Sequence, residues 1–195
     1  MKSTGFMGND PVPVAVLDTN VIFPLYCRDV LLWFAHFNLF VPKWSTQIFD
    51  EWIRVMTNRG LTPETISRQI ALFEGAFPEA HVQQYEHLIA NLTLRDPKDR
   101  HVVAAAIISN AKYIVTHNLR DFTPPELEPL GLKALPPDDF LSELTSRNQR
   151  VALQAFAEMV AAKKKPALSA AEVLNRISRN GLPKTASLLK SCVNS

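Results

Sequence analysis

The apolar positions of this chain follow two periods. Three short stretches, 12–18 (VPVAVLD), 39–42 (LFVP) and 113–116 (YIVT), are apolar without alternation. Such runs fit strands buried on both faces of a parallel sheet. Between them the apolar residues recur at helical spacing. Asp29 is expected to cap a short helix through Leu31, Leu32, Phe34 and Ala35. Ser45 is expected to cap a helix to about residue 58, with Ile48, Trp52, Val55 and Met56 on its apolar side. Further helices are predicted over 63–77 and 82–91. Asp96 then reads as an N-cap with Pro97 at the first helical position, followed by Val102, Val103, Ala106 and Ile107, with the end at Asn110. A brief strand is expected at 132–135 and a helix from 136–144. This order predicts an α/β fold: three α/β/α layers around a small central, mostly parallel sheet.

Beyond residue 145 the period is helical throughout. Helices are expected over 147–164, over 169–179 behind a Ser169–Glu172 capping box, and over 184–192 after Gly181 and Pro183. The predicted organisation is a catalytic-type α/β domain at 12–141 and a helical C-terminal extension at 142–195. Residues 1–11 are expected to be loosely attached.

Composition adds little about the fold and more about partners. At 195 residues with 47% hydrophobic content, one domain plus an appendage is expected. No apolar run is long enough to cross a bilayer, and the start, MKSTGFMGND, lacks a signal-peptide core. Cys27 and Cys192 stand far apart, without metal-ligand spacing, and are expected to be free thiols of a cytoplasmic protein. The net charge of +2 is unevenly spread. From Arg147 onward nine basic residues face two acidic ones, so the tail carries +7 and the remainder −5. A basic appendage on an acidic body points to a polyanion or an acidic partner, or to an ordinary solvated helical surface.

The candidate chemistry lies in four acids. Asp18 ends the first strand, Glu51 lies in the helix after the second, Asp99 lies in the first turn of a helix, and Asp121 follows the strand at 113–116. Each has a bland reading: Asp96 and Asp99 as a helix cap, Glu51 as a surface partner of Arg54. Together they fall at the carboxyl edge of a parallel sheet, where open α/β folds place their sites. Carboxylates sharing a pocket repel by roughly 4 kcal/mol per close pair at an effective dielectric of about 20. Such a cluster takes up protons or binds a cation. An oxygen-only ligand set favours Mg²⁺ or Mn²⁺, the usual equipment for phosphodiester hydrolysis. No Walker loop, nucleophile elbow, HExxH or GxGxxG is present to support a rival chemistry. His101 is expected to pack or bond locally.

LDTNVI (17–22), Glu51, DPKDRHV (96–102) and IVTHNLRDF (114–122) resemble the motifs of PIN-domain nucleases, and most of all the VapC-like toxins of type II toxin–antitoxin pairs. The resemblance covers residues 12–141 and implies an α/β/α endoribonuclease using Mg²⁺ or Mn²⁺. It implies that Asp18, Glu51, Asp99 and Asp121 are catalytic and bind metal. Asn20, Asp96, Thr116 and Asn118 would orient them. Many PIN domains have an acid where Asn118 stands, which bears on any second metal. The resemblance also implies an RNA substrate, a cognate antitoxin and a homodimer formed through residues 66–77. Two other functions fit the same acids: a catalytically inactive module that binds RNA or protein, and a flap-type DNA nuclease.

Overall fold

The computed structural model describes residues 11–193. The loosely attached start expected at 1–11 lies outside the described residues apart from Pro11. The α/β/α layering holds. Five parallel strands form one sheet: β1 (Val14–Leu17), β2 (Val41–Ser45), β3 (His81–Val82), β4 (Tyr113–Val115) and β5 (Lys133–Leu135). They lie in the order β3-β2-β1-β4-β5. The chain therefore builds outward from β1 to one side through β2 and β3, and then resumes on the other side with β4. The topological switch falls between β1 and β4, whose registers pair Leu17 with Val115. Burial explains their unbroken apolar sequences. Ala15, Val16, Leu17, Ile114 and Val115 are fully enclosed by helices on both faces.

Several helices form where the apolar spacing places them. Ser45 caps α3 (Thr46–Asn58) by accepting from the Ile48 amide, and Thr62 caps α4 (Pro63–Ala76). Two expectations need correction. Asp29 does not cap a helix. It lies inside α2 (Leu25–His36), which follows α1 (Thr19–Ile22) after only Phe23 and Pro24. The helix expected over 82–91 is absent. His81 and Val82 instead extend the sheet beside Trp44 and Ser45, leaving a single helical turn, α5 (Glu86–Ile89). The β2 strand also begins later than expected, at Val41, and runs to Ser45.

Pro97–Asp99 form a 3-10 turn capped by Asp96, and α6 (Arg100–Ile108) continues from it. Its alanines, Ala104, Ala105 and Ala106, are fully buried, which lets the helix approach the sheet closely. A short turn, α7 (Pro124–Leu127), precedes β5, and α8 (Pro137–Arg147) follows it. The boundary expected at 141/142 falls inside α8.

The extension forms α9 (Gln149–Ala161), α10 (Ala170–Arg179) and α11 (Pro183–Val193). These are not a detached arm, because α9 packs on α2 and α11 packs on α8. Phe140, Ala155, Ile177 and Leu189 belong to the same apolar core as the strands. The Asp138 carboxylate of α8 fastens the end of the chain. It accepts from the Lys184 and Thr185 amides, each at 2.9 Å, and from the Thr185 hydroxyl at 2.8 Å. Both Cys27 and Cys192 are free thiols, and burial pushes Cys27 up to about 12. Among the described residues no helix is long and apolar enough to cross a membrane.

Candidate active site

The turn after β1 sets the first part of the site. The Asp18 amide bonds the Val115 carbonyl at 3.1 Å, which ties the end of β1 to the end of β4 at the switch point. Asp18 caps the short α1, with Oδ1 accepting from the Thr19 amide at 2.7 Å. Its other oxygen, Oδ2, accepts from the Thr116 hydroxyl at 2.7 Å and from the Asn20 amide. The Thr116 oxygen in turn accepts from Asn20 Nδ2 at 3.0 Å and from the Asn118 amide at 2.9 Å. Asn20 Oδ1 accepts from the His117 amide at 2.9 Å. Asp18, Asn20, Thr116 and Asn118 are thus one network across the carboxyl ends of two adjacent strands. Asp18 is nearly enclosed, and burial raises its pKa despite the hydrogen bonds from Thr116 and Thr19.

The second part is an acidic cluster beside that network. Asp96 and Asp99 bracket the 3-10 turn before α6, and Asp121 comes from the loop after β4. Carboxylate oxygens of all three lie within 4.8 Å of one another, and each residue is half-buried. Asp96 also caps the turn by accepting from the Lys98 amide at 2.9 Å. Asp99 Oδ2 accepts from Asn118 Nδ2 at 3.1 Å. Burial and then the charges of Asp18, Asp96 and Asp121 raise the Asp99 carboxyl to about 6, against a smaller opposing pull from His101. Asp18, Asp96 and Asp121 therefore all act on Asp99 here, whereas Glu51, the fourth acid of the sequence set, is not among the charges that raise it.

Glu51 lies near Asp18. It projects from the second turn of α3 and accepts from the Thr19 hydroxyl at 2.9 Å through Oε2. Its Oε1 bonds His101 Nε2 at 3.1 Å. Burial pushes the Glu51 carboxyl up, but the bonds from His101 and Thr19 outweigh it and leave the pKa below the ordinary value. Glu51 also adds to the charge that Asp18 experiences.

A family model described as "PIN domain" matches residues 14–120, which hold every strand except the last. The chain belongs to the PIN-domain family. A second family model, described as "VapC50 C-terminal domain", matches residues 137–191. The chain is 51% identical over 57 residues to a protein of Mycobacterium tuberculosis named "Putative ribonuclease VapC50". That match covers 29% of this chain and 33% of the relative. No solved structure matches the chain.

In this PIN domain the residues that lie closest to a cation-holding arrangement are Asp96, Asp99 and Asp121. Their donor set is oxygen only, with an elevated Asp99, and it fits a hard divalent ion better than a softer metal. Asp18 acts on this triad and Glu51 acts on Asp18, each with both oxygens already held by donors. Asp96, expected to orient the ligands, has a carboxylate oxygen within the same cluster. Thr19 and His101 also belong to the site, through their bonds to Glu51. Thr19 stood inside the quoted LDTNVI motif, and its hydroxyl was the available signal. His101, expected to pack or bond locally, instead bonds Glu51 across 50 residues.

Proposed function

We propose that this PIN domain is a Mg²⁺- or Mn²⁺-dependent endoribonuclease that hydrolyses RNA phosphodiester bonds as the toxin of a type II toxin–antitoxin pair. The observation that carries the reading is the meeting of Asp96, Asp99 and Asp121 within 4.8 Å, beside buried Asp18, at the carboxyl edge of the sheet. A divalent ion held there supplies charge neutralisation at the phosphate and activation of water. The chain's own part is positioning. Asp18, Glu51, Asp99 and Asp121 would hold the ion, with Asp96 in the same cluster. Thr116, Asn20 and Asn118 fix the two carboxylates, Asp18 and Asp99, that they touch. The catalytic part occupies 12–141, and the extension at 142–195 adds positive charge for the RNA backbone. A cognate antitoxin would cover the acidic groove, and the protein would act in the cytoplasm as a homodimer.

Purified protein incubated with labelled RNA in Mg²⁺ or Mn²⁺ tests the reading. Cleavage that is abolished by EDTA and by Asp99→Asn is expected. RNA binding without cleavage in any divalent metal would replace it with an inactive binding module, a reading that the neutral amide of Asn118 on Asp99 favours. Preference for flapped DNA over RNA would replace it with a DNA nuclease. Growth arrest on inducing the wild type, and not Asp18→Ala, is the result expected of a toxin.

A further inference from the structure

His101 enters the site from a position where a buried histidine has little else to do. It lies in the first turn of α6, two residues after Asp99, and is 1% exposed. A carboxylate only accepts, so the 3.1 Å contact with Glu51 Oε1 puts the ring hydrogen on Nε2. That leaves Nδ1 as a bare acceptor, and it has no partner among the described residues. The bond to Glu51 is therefore the one polar contact that repays burial of the ring.

Glu51 has an alternative. Arg54 Nη2 stands 4.0 Å from the same Oε1, on a side chain that is 73% exposed. A surface pair of this kind is weak, but without a competing donor it would draw the Glu51 carboxylate outward. The Thr19 hydroxyl alone holds the other oxygen and also lies 3.2 Å from the Ile48 carbonyl, so its hydrogen is shared.

We propose that His101 is a positioning residue: its Nε2–H holds Glu51 beside Asp18 and Thr19 against the outward pull of Arg54. Asp99, which sits in the acidic cluster, directly precedes that first turn of α6. His101 thereby locks α3, which bears Glu51, to the element that bears the triad. The inference rests on the reading of this groove as a divalent-metal site. Loss of a residue that orients a ligand typically costs 10- to 100-fold in metal affinity.

The test is Mn²⁺ titration of the RNA-free protein, followed by calorimetry or by the electron paramagnetic resonance signal of free Mn²⁺. His101→Leu keeps the volume and removes the donor. We expect affinity about tenfold weaker, matched by Glu51→Gln, with the double variant no weaker than either alone. His101→Gln, whose amide reaches about as far as Nε2, should recover affinity to within about threefold, and Arg54→Ala should leave it unchanged. If His101→Leu does not fold, His101→Asn, too short to reach Glu51, takes its place. Wild-type affinity in a folded His101→Leu or His101→Asn, additive losses in the double variant, or failure of His101→Gln to recover affinity would overturn the proposal. Mn²⁺ binding with the expected ranking but no RNA cleavage overturns the ribonuclease reading alone. No Mn²⁺ binding by the wild type overturns the metal site and this inference with it.

Discussion

The side-chain amide of Asn118 donates to Oδ2 of Asp99 at 3.1 Å, joining the loop after β4 to the turn before α6. The same residue's backbone amide bonds Thr116 Oγ1, so its side chain is aimed from a fixed base. An amide in this place lowers the negative charge of the cluster and gives Asp99 a donor in the absence of any ion. Asn118→Asp should reverse both effects. Without metal the protein should lose about 1 kcal/mol, since a like charge then faces Asp99. With Mn²⁺ the extra carboxylate should tighten binding about tenfold. Melting curves in EDTA and in Mn²⁺ check both signs, and unchanged Mn²⁺ affinity would place Asn118 away from the ion.

Asp99 also makes stability depend on pH in the metal-free protein. Its carboxyl is raised from an ordinary 3.8 to about 6 in the folded state, first by burial and then by Asp18, Asp96 and Asp121. The native state therefore holds a proton that the unfolded chain has released between those values. Stability from this group is full below about 4 and falls as pH rises through 6. Asp18, raised by burial, acts in the same sense, while Glu51, lowered overall, acts in the opposite sense. Asp99 is half-exposed, so screening limits its share to roughly 1 kcal/mol. Asp99→Asn should be more stable than wild type at pH 7 in EDTA and lose the advantage at pH 4. Adding Mn²⁺ should stabilise the wild type only. A wild type whose stability does not change between pH 4 and 7 in EDTA would contradict the placement of these acids.

The attachment of the extension predicts a larger loss. Asp138 is buried and takes three donors from the start of α11, including the hydroxyl of fully buried Thr185. Asp138→Ala leaves the buried Thr185 amide unpaired, leaves the Thr185 hydroxyl only the Asp138 carbonyl at 3.3 Å, and uncaps the Lys184 amide. Each such group costs about 1–3 kcal/mol when unsatisfied, and a lost helix cap about 1. Urea unfolding should therefore show a destabilisation of about 3 kcal/mol. Because α9 and α11 share one core with the sheet, the transition should stay single. A separate early transition would instead indicate an extension that unfolds by itself.

Local signals made much of this legible. Unbroken apolar runs gave β1 and β4, and capping residues such as Ser45 and Ser169 marked helix starts that the structure keeps. What failed was decided by pairing at a distance. Val82 and Tyr85 carry a spacing that suits a helix, yet His81 and Val82 gain more as an edge strand on Trp44 and Ser45. Asp29 had the look of a cap, but the turn at Phe23 and Pro24 already starts the helix, and Asp29 instead bonds Lys163 of the extension. In the site, the meeting of Asp99 with Asp121 could be argued from their places at helix start and strand end. The hold of His101 on Glu51 could not, since it depends on how α3 and α6 pack.

Several cations of the basic tail are engaged within the fold. Lys163 pairs with Asp29, Lys184 with Asp139, Arg147 with Glu143, and Arg176 donates to the Tyr26 hydroxyl. Lys164 and Lys165 are exposed and take part in none of these pairs. They follow α9, which packs on α2, and α2 begins only a few residues after Asp18 at the mouth of the site. If RNA runs over this side, each neutralised phosphate of a single strand contributes about 0.7 to the slope of log K against log salt. Replacing both lysines with glutamate should weaken binding most at low salt and make the slope shallower by about 1.4. Fluorescence anisotropy with a labelled single-stranded RNA, in the Asp99→Asn background to prevent cleavage, measures it across 50–300 mM salt. An unchanged slope would put these lysines off the RNA path and leave the charge of the tail to another partner.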